Sequence, residues 1–252
     1  MRIESERVTL EVAGAQGTAK MGGYLARPLP DEPRSFPAVL VFMEIFGVNP
    51  HIRSIVDRIA AEGYVALAPD YFHRTAPGIE LKYDQEGMSR GMPLIGQLRA
   101  DEVIADARAA LAFLRARPDV SGDRIGAIGF CVGGHVAYLV ATTGEVQATA
   151  SFYGGGVATQ GLGEAAPTLA RTAGIGGKIT CFFGGQDGYI TPAQVEQIKD
   201  AFYQHGIRNE VFVYPDAGHG FFCDARTDFH RMSHDDAWRK VKKLFLDELH
   251  GR

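Results

Sequence analysis

Short apolar runs separated by segments of helical periodicity form the dominant pattern of the chain. Residues 37–43 and 64–70 are almost continuously apolar, which is typical of strands buried on both faces of a sheet. Two earlier segments, 7–13 and 21–28, are joined by a glycine-containing turn and predict a hairpin. Further strands are predicted at 123–130, 146–153, 178–184 and 209–215. The pattern therefore predicts about eight strands.

Helices are predicted between the later strands. From Arg99 to Arg117, apolar residues recur at spacings of three and four, which places them on one face of a helix. In the segment 191–206, Thr191 can cap a helix and Pro192 suits its first turn. The other predicted helices cover 50–62, 132–142 and a C-terminal segment with Trp238, Val241, Phe245 and Leu249 on one face. This alternation predicts a mostly parallel sheet with helices on both faces.

Two segments, 71–98 and 154–177, are rich in glycine and have weak periodicity. We expect both to be loops over a site at the carboxyl ends of the strands, where open α/β sheets bind ligands. No shift in composition and no internal repeat marks a second domain, so residues 1–252 are predicted to form a single domain.

Composition and charge narrow the class of protein further. The chain has 252 residues, of which 46% are apolar and 10% aromatic, and this excludes intrinsic disorder. With 26 Lys and Arg against 30 Asp and Glu, no nucleic-acid partner is expected. No apolar run is long enough to cross a membrane, and the first residues do not resemble a signal peptide. Three widely spaced cysteines argue against a disulfide framework, so we predict a cytoplasmic protein.

A turn between a predicted strand and a predicted helix holds the first candidate for chemistry. Gly129-Phe130-Cys131-Val132-Gly133-Gly134 has the form G-x-C-x-G, in which small residues let neighbouring backbone pass close to a nucleophile on a sharp turn. The N–H groups at the start of the next helix favour an anion there, and hence a thiolate. The alternative for Cys131 is a buried structural cysteine.

Asp187 and His219 are candidates for an orienting acid and a general base. Asp187 follows the predicted strand at 178–184, and His219 follows the one at 209–215. Singly, each is an ordinary loop residue. With Cys131, however, they occur in the nucleophile–acid–base order of α/β-hydrolases, each after its own strand. The sequence therefore predicts an α/β-hydrolase fold with a Cys–His–Asp set for acyl transfer.

Several motifs resemble those of the dienelactone hydrolase family. They are Met-Glu-Ile-Phe-Gly-Val-Asn at 43–49, Ala-Pro-Asp-Tyr at 68–71, Gly-Phe-Cys-Val-Gly-Gly at 129–134, Gly-Gly-Gln-Asp at 184–187 and Ala-Gly-His-Gly-Phe at 217–221. The resemblance covers about residues 5–250. It implies hydrolysis of a cyclic enol-lactone, dienelactone (carboxymethylenebutenolide), to maleylacetate, without a cofactor.

The resemblance also implies roles for individual residues. Cys131 corresponds to the nucleophile, His219 to the base and Asp187 to its orienting partner. Glu44 is expected close to the thiol of Cys131, which it helps to activate when substrate arrives. The backbone N–H groups of Ile45 and Val132 are expected to form the oxyanion hole, where two such donors can lower the barrier to acyl transfer.

The substrate implied by this resemblance carries a carboxylate, so cations are expected in the site. Arg90 and Arg226 are the candidates, although Arg226 lies further from His219 than the family pattern leads us to expect. Solvent-exposed arginines are the alternative for both. Tyr153, at the end of its predicted strand, is a candidate to line the pocket or, alternatively, a core residue.

A metal site is not predicted. His230 and His234 have the spacing of two ligands on one face of a helix, but only Asp235 and Asp236 are near them in sequence.

Three alternatives to a dienelactone hydrolase remain open. The same residues could hydrolyse a different ester or lactone, or the chain could be a binding module that kept the fold without activity. A redox role for Cys131 is the third, although no other cysteine is near it in sequence. The small-molecule substrate and the oligomeric state are not fixed by the sequence.

Overall fold

The structure is a computed structural model that describes residues 1–14 and 17–250. Within these residues, the strands are β1 (Ile3–Gly14), β2 (Gly17–Pro28), β3 (Phe36–Phe42), β4 (Val65–Pro69), β5 (Val120–Phe130), β6 (Ala148–Phe152), β7 (Lys178–Gly184) and β8 (Asn209–Tyr214). The helices are α1 (Pro50–Ala61), α2 (Gln85–Ile95), α3 (Ala100–Arg115), α4 (Val132–Ala141), α5 (Pro192–Gln204) and α6 (Arg231–Leu249). The predicted hairpin is β1–β2, and its turn lies partly outside the described residues.

All eight strands belong to one sheet, in the order β1-β2-β4-β3-β5-β6-β7-β8. The pairs β1–β2 and β2–β4 are antiparallel, and every pair from β4–β3 to β7–β8 is parallel. The mostly parallel sheet of eight strands is therefore confirmed. Because parallel strands have their carboxyl ends at the same edge, the residues that follow β3, β5, β6, β7 and β8 are brought close together there.

The centre of the sheet is buried on both faces. Every residue of β3, β4 and β6 is buried, which accounts for their continuous apolar runs. The helices α4 and α6 both pack against β5 and β6, from opposite faces. All ten residues of α4 are buried, as is usual for a helix that is apolar on every side. This packing fixes the start of α4, and with it the turn that carries Cys131.

The prediction of a loop over 71–98 is wrong for the part of that segment that forms α2. This helix begins after Asp84, whose Oδ1 accepts a hydrogen bond of 2.8 Å from the N–H of Gly87. Gly87, Gly91 and Pro93 have low helix propensity, so the pattern gives little sign of a helix. Tertiary packing stabilises the helix instead. Gly91 lies so close to the residues after β3 that a Cβ at this position would be 2.6 Å from the carbonyl oxygen of Ile45. The helix therefore sits directly against the residues that follow β3.

The segment 154–177 also contains a helical element, a 3₁₀ helix at Thr168–Gly174. Two hydrogen bonds join it to α4: the hydroxyl of Thr168 donates to Nε2 of His135 (2.7 Å), and the hydroxyls of Tyr138 and Thr172 share a bond of 2.6 Å. The rest of the segment is irregular, as expected.

Among the described residues, no helix combines the length and apolar character that a bilayer span requires.

Candidate active site

Cys131 lies on the sharp turn between β5 and α4, with φ 57° and ψ −123°. This conformation is uncommon for a residue with a side chain and costs about 1–3 kcal/mol. A hydrogen bond of 3.1 Å from the N–H of Cys131 to the carbonyl of Phe152 helps to hold it. The glycines of the motif are needed for close approach, because a Cβ at Gly129 would lie 1.9 Å from the oxygen of Gly133. The turn raises a partly buried thiol above the edge of the sheet.

Asp187 and His219 meet at the same edge, after β7 and β8. Nδ1 of His219 donates a hydrogen bond of 2.8 Å to Oδ2 of Asp187, whose side chain is fully buried. Oδ1 of Asp187 accepts from the N–H groups of Tyr189 (2.8 Å) and Ile190 (3.2 Å). Both carboxylate oxygens are thus engaged, and the imidazole is fixed with its Nε2 free to face the thiol of Cys131.

The charge on His219 is set by its two neighbours. Burial alone would lower the pKa of His219, but the negative charge of Cys131 and the hydrogen bonds with Asp187 and Cys131 raise this pKa to about 10. At neutral pH the imidazole therefore holds its proton as long as Cys131 is negatively charged. Such a pair of thiolate and imidazolium is a ready nucleophile for an acyl group.

Ile45 and Val132 line the same cavity as Cys131 and His219. Val132 is the first residue of α4, so its N–H has no acceptor within the helix. Ile45 follows β3 and is held from behind by Gly91 of α2. The backbone segments of both residues therefore border the cavity that holds the thiol, and the role of their N–H groups as an oxyanion hole stays a prediction.

Glu44 is completely buried and has two partners, neither of which is Cys131. Tyr83 Oη donates a hydrogen bond of 2.6 Å to Glu44 Oε2, and Arg226 Nη1 donates one of 3.2 Å to Glu44 Oε1. Burial and the charge of Glu44 both raise the pKa of Tyr83. Burial alone would lower the pKa of Arg226, but Glu44 raises it. Both partners therefore stay protonated and act only as donors to a carboxylate that would be costly to bury alone.

The structure brings Arg226 into the cavity, where its side chain is only 12% exposed. Its position seven residues after His219 is accommodated by a turn at Gly220, which has φ 82°. A Cβ at Gly220 would lie 2.7 Å from the guanidinium carbon of Arg226, so only glycine leaves room for that side chain.

Arg90 is not brought to the site, and the expectation that it binds substrate is not met by this structure. Its side chain is 58% exposed and pairs with Glu86 at 3.6 Å. The cavity is lined instead by Met88 and Met92 of the same helix. Position 90 is about 200° around the helix from position 88, so it faces away from the cavity.

Tyr153 is a core residue, which was the alternative to a place in the lining of the pocket. It is completely buried, with φ 37°, and its ring lies 5.1 Å from the ring of His219. Its hydroxyl has no hydrogen-bond partner among the described residues. Tyr153 is absent from the lining of the cavity, because it packs behind the imidazole and against Phe221.

The remaining candidates do not form a site. His230 Nδ1 is 2.7 Å from the hydroxyl of Ser233, and His234 Nδ1 is 2.8 Å from Asp235. In residues 1–14 and 17–250, no three His, Cys, Asp or Glu residues are grouped so that they could hold a metal ion.

Sequence reasoning missed several residues around Cys131. Tyr83, Met88 and Met92 lie in or beside α2, within the segment that was expected to be a loop. Tyr189 is 62% exposed, and its ring lies edge-on to His219 at 5.0 Å. Only its place two residues after Asp187 could have indicated it.

The sheet order and the strand-to-helix turn at Cys131 define an α/β-hydrolase. Residues 21–249 match the dienelactone hydrolase family. A protein of Synechocystis sp. named "Putative carboxymethylenebutenolidase" is 43% identical over 230 residues, which are 91% of this chain and 93% of that protein. The carboxymethylenebutenolidase of Pseudomonas sp. strain P51 is 31% identical over 208 residues, 82% of each chain.

A solved structure agrees with these relatives. The crystal structure of a "Putative Dienelactone Hydrolase" from Klebsiella pneumoniae superposes with a TM-score of 0.83 at 27% identity, and covers 96% of this chain and 98% of that one. The chain therefore belongs to the dienelactone hydrolase family and is a hydrolase of the α/β-hydrolase fold.

Proposed function

We propose that this protein hydrolyses dienelactone-like enol-lactones or activated esters through an acyl-cysteine formed on Cys131. The observation that carries the proposal is the hydrogen bond between His219 and a fully buried Asp187, beside a cysteine on a strained turn. The names of the relatives, carboxymethylenebutenolidases, support the substrate class.

In the first half of the reaction, the thiolate of Cys131 attacks the carbonyl carbon of the substrate. The negative charge that develops on the carbonyl oxygen is stabilised by the N–H groups of Ile45 and Val132. Collapse of this intermediate breaks the ester bond, and the leaving oxygen takes the proton from Nε2 of His219. An enol-lactone suits a thiol nucleophile, because its leaving group is a stabilised enolate.

The second half of the reaction needs a neutral imidazole as base. The charge of Cys131 contributes to the raised pKa of His219, and acylation removes that charge. The pKa of His219 must therefore fall once the acyl-cysteine has formed. His219 can then take a proton from a water molecule, which attacks the thioester and releases the acid and the thiolate. The sum of the two steps is one water consumed and one ester bond broken.

Arg226 is proposed to bind the carboxylate of the substrate, in competition with Glu44. Nη1 of Arg226 pairs with Glu44 at 3.2 Å and Nη2 with Asp228 at 3.5 Å, so a substrate anion at this guanidinium competes with carboxylates that already hold it. Activation of Cys131 by the released Glu44 stays a prediction. The two side-chain hydrogen bonds of Glu44 go to Tyr83 and Arg226, which supports holding Arg226 in place as its main part.

The first test is hydrolysis of dienelactone and of p-nitrophenyl acetate by the wild type, Cys131→Ala and Cys181→Ala. Cys181 is a buried thiol on β7 and serves as the matched control. We expect Cys131→Ala to lose both activities and Cys181→Ala to keep them. If only p-nitrophenyl acetate is cleaved, the physiological substrate is a different ester or lactone. If Cys131→Ala is as active as the wild type, the assignment of the nucleophile is wrong.

An inactive binding module of the same fold is the second candidate. It would show no Cys131-dependent turnover of either compound, although the cavity would still bind carboxylates at Arg226.

A further inference from the structure

The cavity beside Cys131 has one wall that the chemistry of hydrolysis does not require. The cavity has a volume of about 360 Å³, which is within the usual range for small-molecule sites. Met88, Met92 and Ile95 form this wall. They are spaced by four and three residues along α2, so they share one face of the helix. We call these three residues the α2 wall.

Two apolar side chains at the cavity are left in contact with water. Met92 is 45% exposed and Tyr189, which lies beside His219, is 62% exposed. Both line the cavity, so these exposed surfaces lie in the same depression. Apolar surface that is gathered in a concave site is typical of ligand contact. Methionine also adapts its shape readily to different apolar groups.

The α2 wall is held at a fixed place relative to the thiol. Gly91 lies against the backbone of Ile45, where a Cβ would be 2.6 Å from the carbonyl oxygen. Ile45 in turn lines the cavity with Cys131. A substrate bound at the thiol therefore has the α2 wall as a neighbour, without any movement of the helix.

Apart from the reacting pair of Cys131 and His219, charge in the cavity is confined to one part of its surface. Among the described lining residues, Arg226 carries the only guanidinium, and no lysine takes part. Thr159 and Gln160 supply neutral polar groups. Dienelactone itself offers a carboxylate for Arg226, but it has no apolar group to cover the α2 wall.

We propose that the substrate of this enzyme is an ester or lactone with one anionic group and an apolar arm, and that the arm binds between the α2 wall and Tyr189. This inference rests on the proposed function, which supplies the reacting carbonyl at Cys131. It makes Met92 a specificity-determining residue, one that contacts the substrate without taking part in bond making.

The kinetic test uses p-nitrophenyl acetate, butyrate and hexanoate with the wild type, Met92→Gln and Met232→Gln. Met232 is 75% exposed on α6 and provides a matched control outside the cavity. Each buried methylene changes affinity about fourfold, so a partly open wall should favour hexanoate over acetate about tenfold or more in kcat/KM. Met92→Gln should lower that ratio at least threefold, and Met232→Gln should leave it unchanged.

A binding measurement separates failure of this inference from failure of the proposed function. Calorimetry with Cys131→Ala compares hexanoate with acetate, two carboxylates that differ only in the apolar chain. Tighter binding of hexanoate that is lost in Cys131→Ala/Met92→Gln supports the α2 wall even if no hydrolysis is found. Equal binding of the two acids, or an ester preference that Met92→Gln does not change, overturns the inference whether or not the protein is a hydrolase.

Discussion

Replacement of Asp187 by asparagine tests how the charge on His219 is produced. In the structure, Oδ1 of Asp187 accepts from two backbone N–H groups, those of Tyr189 and Ile190. An asparagine at this position will keep its oxygen on that side, because its amide NH₂ group is itself a donor and cannot accept from these two N–H groups. The amide NH₂ group must then point at Nδ1 of His219, which has to become an acceptor. The imidazole is therefore left as the tautomer with its proton on Nε2, unable to take a proton from a thiol or a water.

The size of the effect follows from the contact that is lost. The hydrogen bond of 2.8 Å between His219 and Asp187 is charge-assisted, and its partner is fully buried. A bond of this kind contributes about 1.5–3 kcal/mol, which corresponds to about 10- to 150-fold in rate. The wrong tautomer adds to this loss, and the equivalent substitution in a serine triad lowers kcat about 10⁴-fold. We expect kcat/KM on p-nitrophenyl acetate to fall about 10³-fold.

The assay is the initial rate on p-nitrophenyl acetate, together with alkylation of Cys131 by iodoacetamide between pH 5 and pH 10. Asp187 raises the pKa of His219, so removal of its carboxylate should lower that pKa. The thiolate–imidazolium pair should then exist over a narrower pH range, and alkylation at neutral pH should be slower. Asp216→Asn, at an exposed position before His219, is the control and should behave as the wild type. An Asp187→Asn enzyme with less than a tenfold loss and unchanged alkylation would refute this account of the site.

Three further substitutions test the surroundings of the site. Tyr83→Phe removes a donor from Glu44, and Glu44 should then hold Arg226 more tightly. KM for p-nitrophenyl hemisuccinate should rise several-fold, while KM for the neutral acetate should stay unchanged. Equal effects on both esters would contradict this. Glu44→Gln removes the charged partner of Arg226 and should lower KM for the hemisuccinate. The rate of alkylation of Cys131 should stay unchanged, and slower alkylation would show that Glu44 activates the thiol. Burial lowers the pKa of His135 from 6.5 to about 4, so the unfolded state takes up the proton first as pH falls through this range. Urea unfolding between pH 7 and pH 4 should therefore show a loss of stability that is about 3 kcal/mol larger in the wild type than in His135→Gln, and parallel curves for the two proteins would disprove the role of His135.

The elements that carry the reacting groups could be predicted because local pattern and tertiary structure agree there. The central strands are continuous apolar runs, and Cys131, Asp187 and His219 each follow a predicted strand in the sequence. Glycines that flank Cys131 are visible in the sequence and are required by the turn. That residues 1–252 form a single domain stays a prediction, as do the cytoplasmic location and the absence of a nucleic-acid partner.

The substrate-facing parts could not be predicted, because tertiary contacts decide them. The helix α2 contains two glycines and a proline and forms although its residues have low helix propensity. A sequence that gives no sign of the helix also does not show which of its side chains face the cavity. The expectation for Arg90 is therefore wrong, and Met88 and Met92 line the cavity instead. Arg226 could be named as a candidate, but its pairing with Glu44 depends on a turn at Gly220 that no local pattern indicates. Tyr83 had no signal in the sequence at all.

The most direct test of the central claim is to identify the residue that carries the acyl group. The enzyme is mixed with p-nitrophenyl acetate, quenched in acid within the first turnovers, digested and examined by mass spectrometry. The account predicts one acetyl group on the peptide that contains Cys131 and its absence in Cys131→Ala. Turnover that continues in Cys131→Ala, or an acetyl group on a different residue that forms and decays as fast as the reaction, would contradict it.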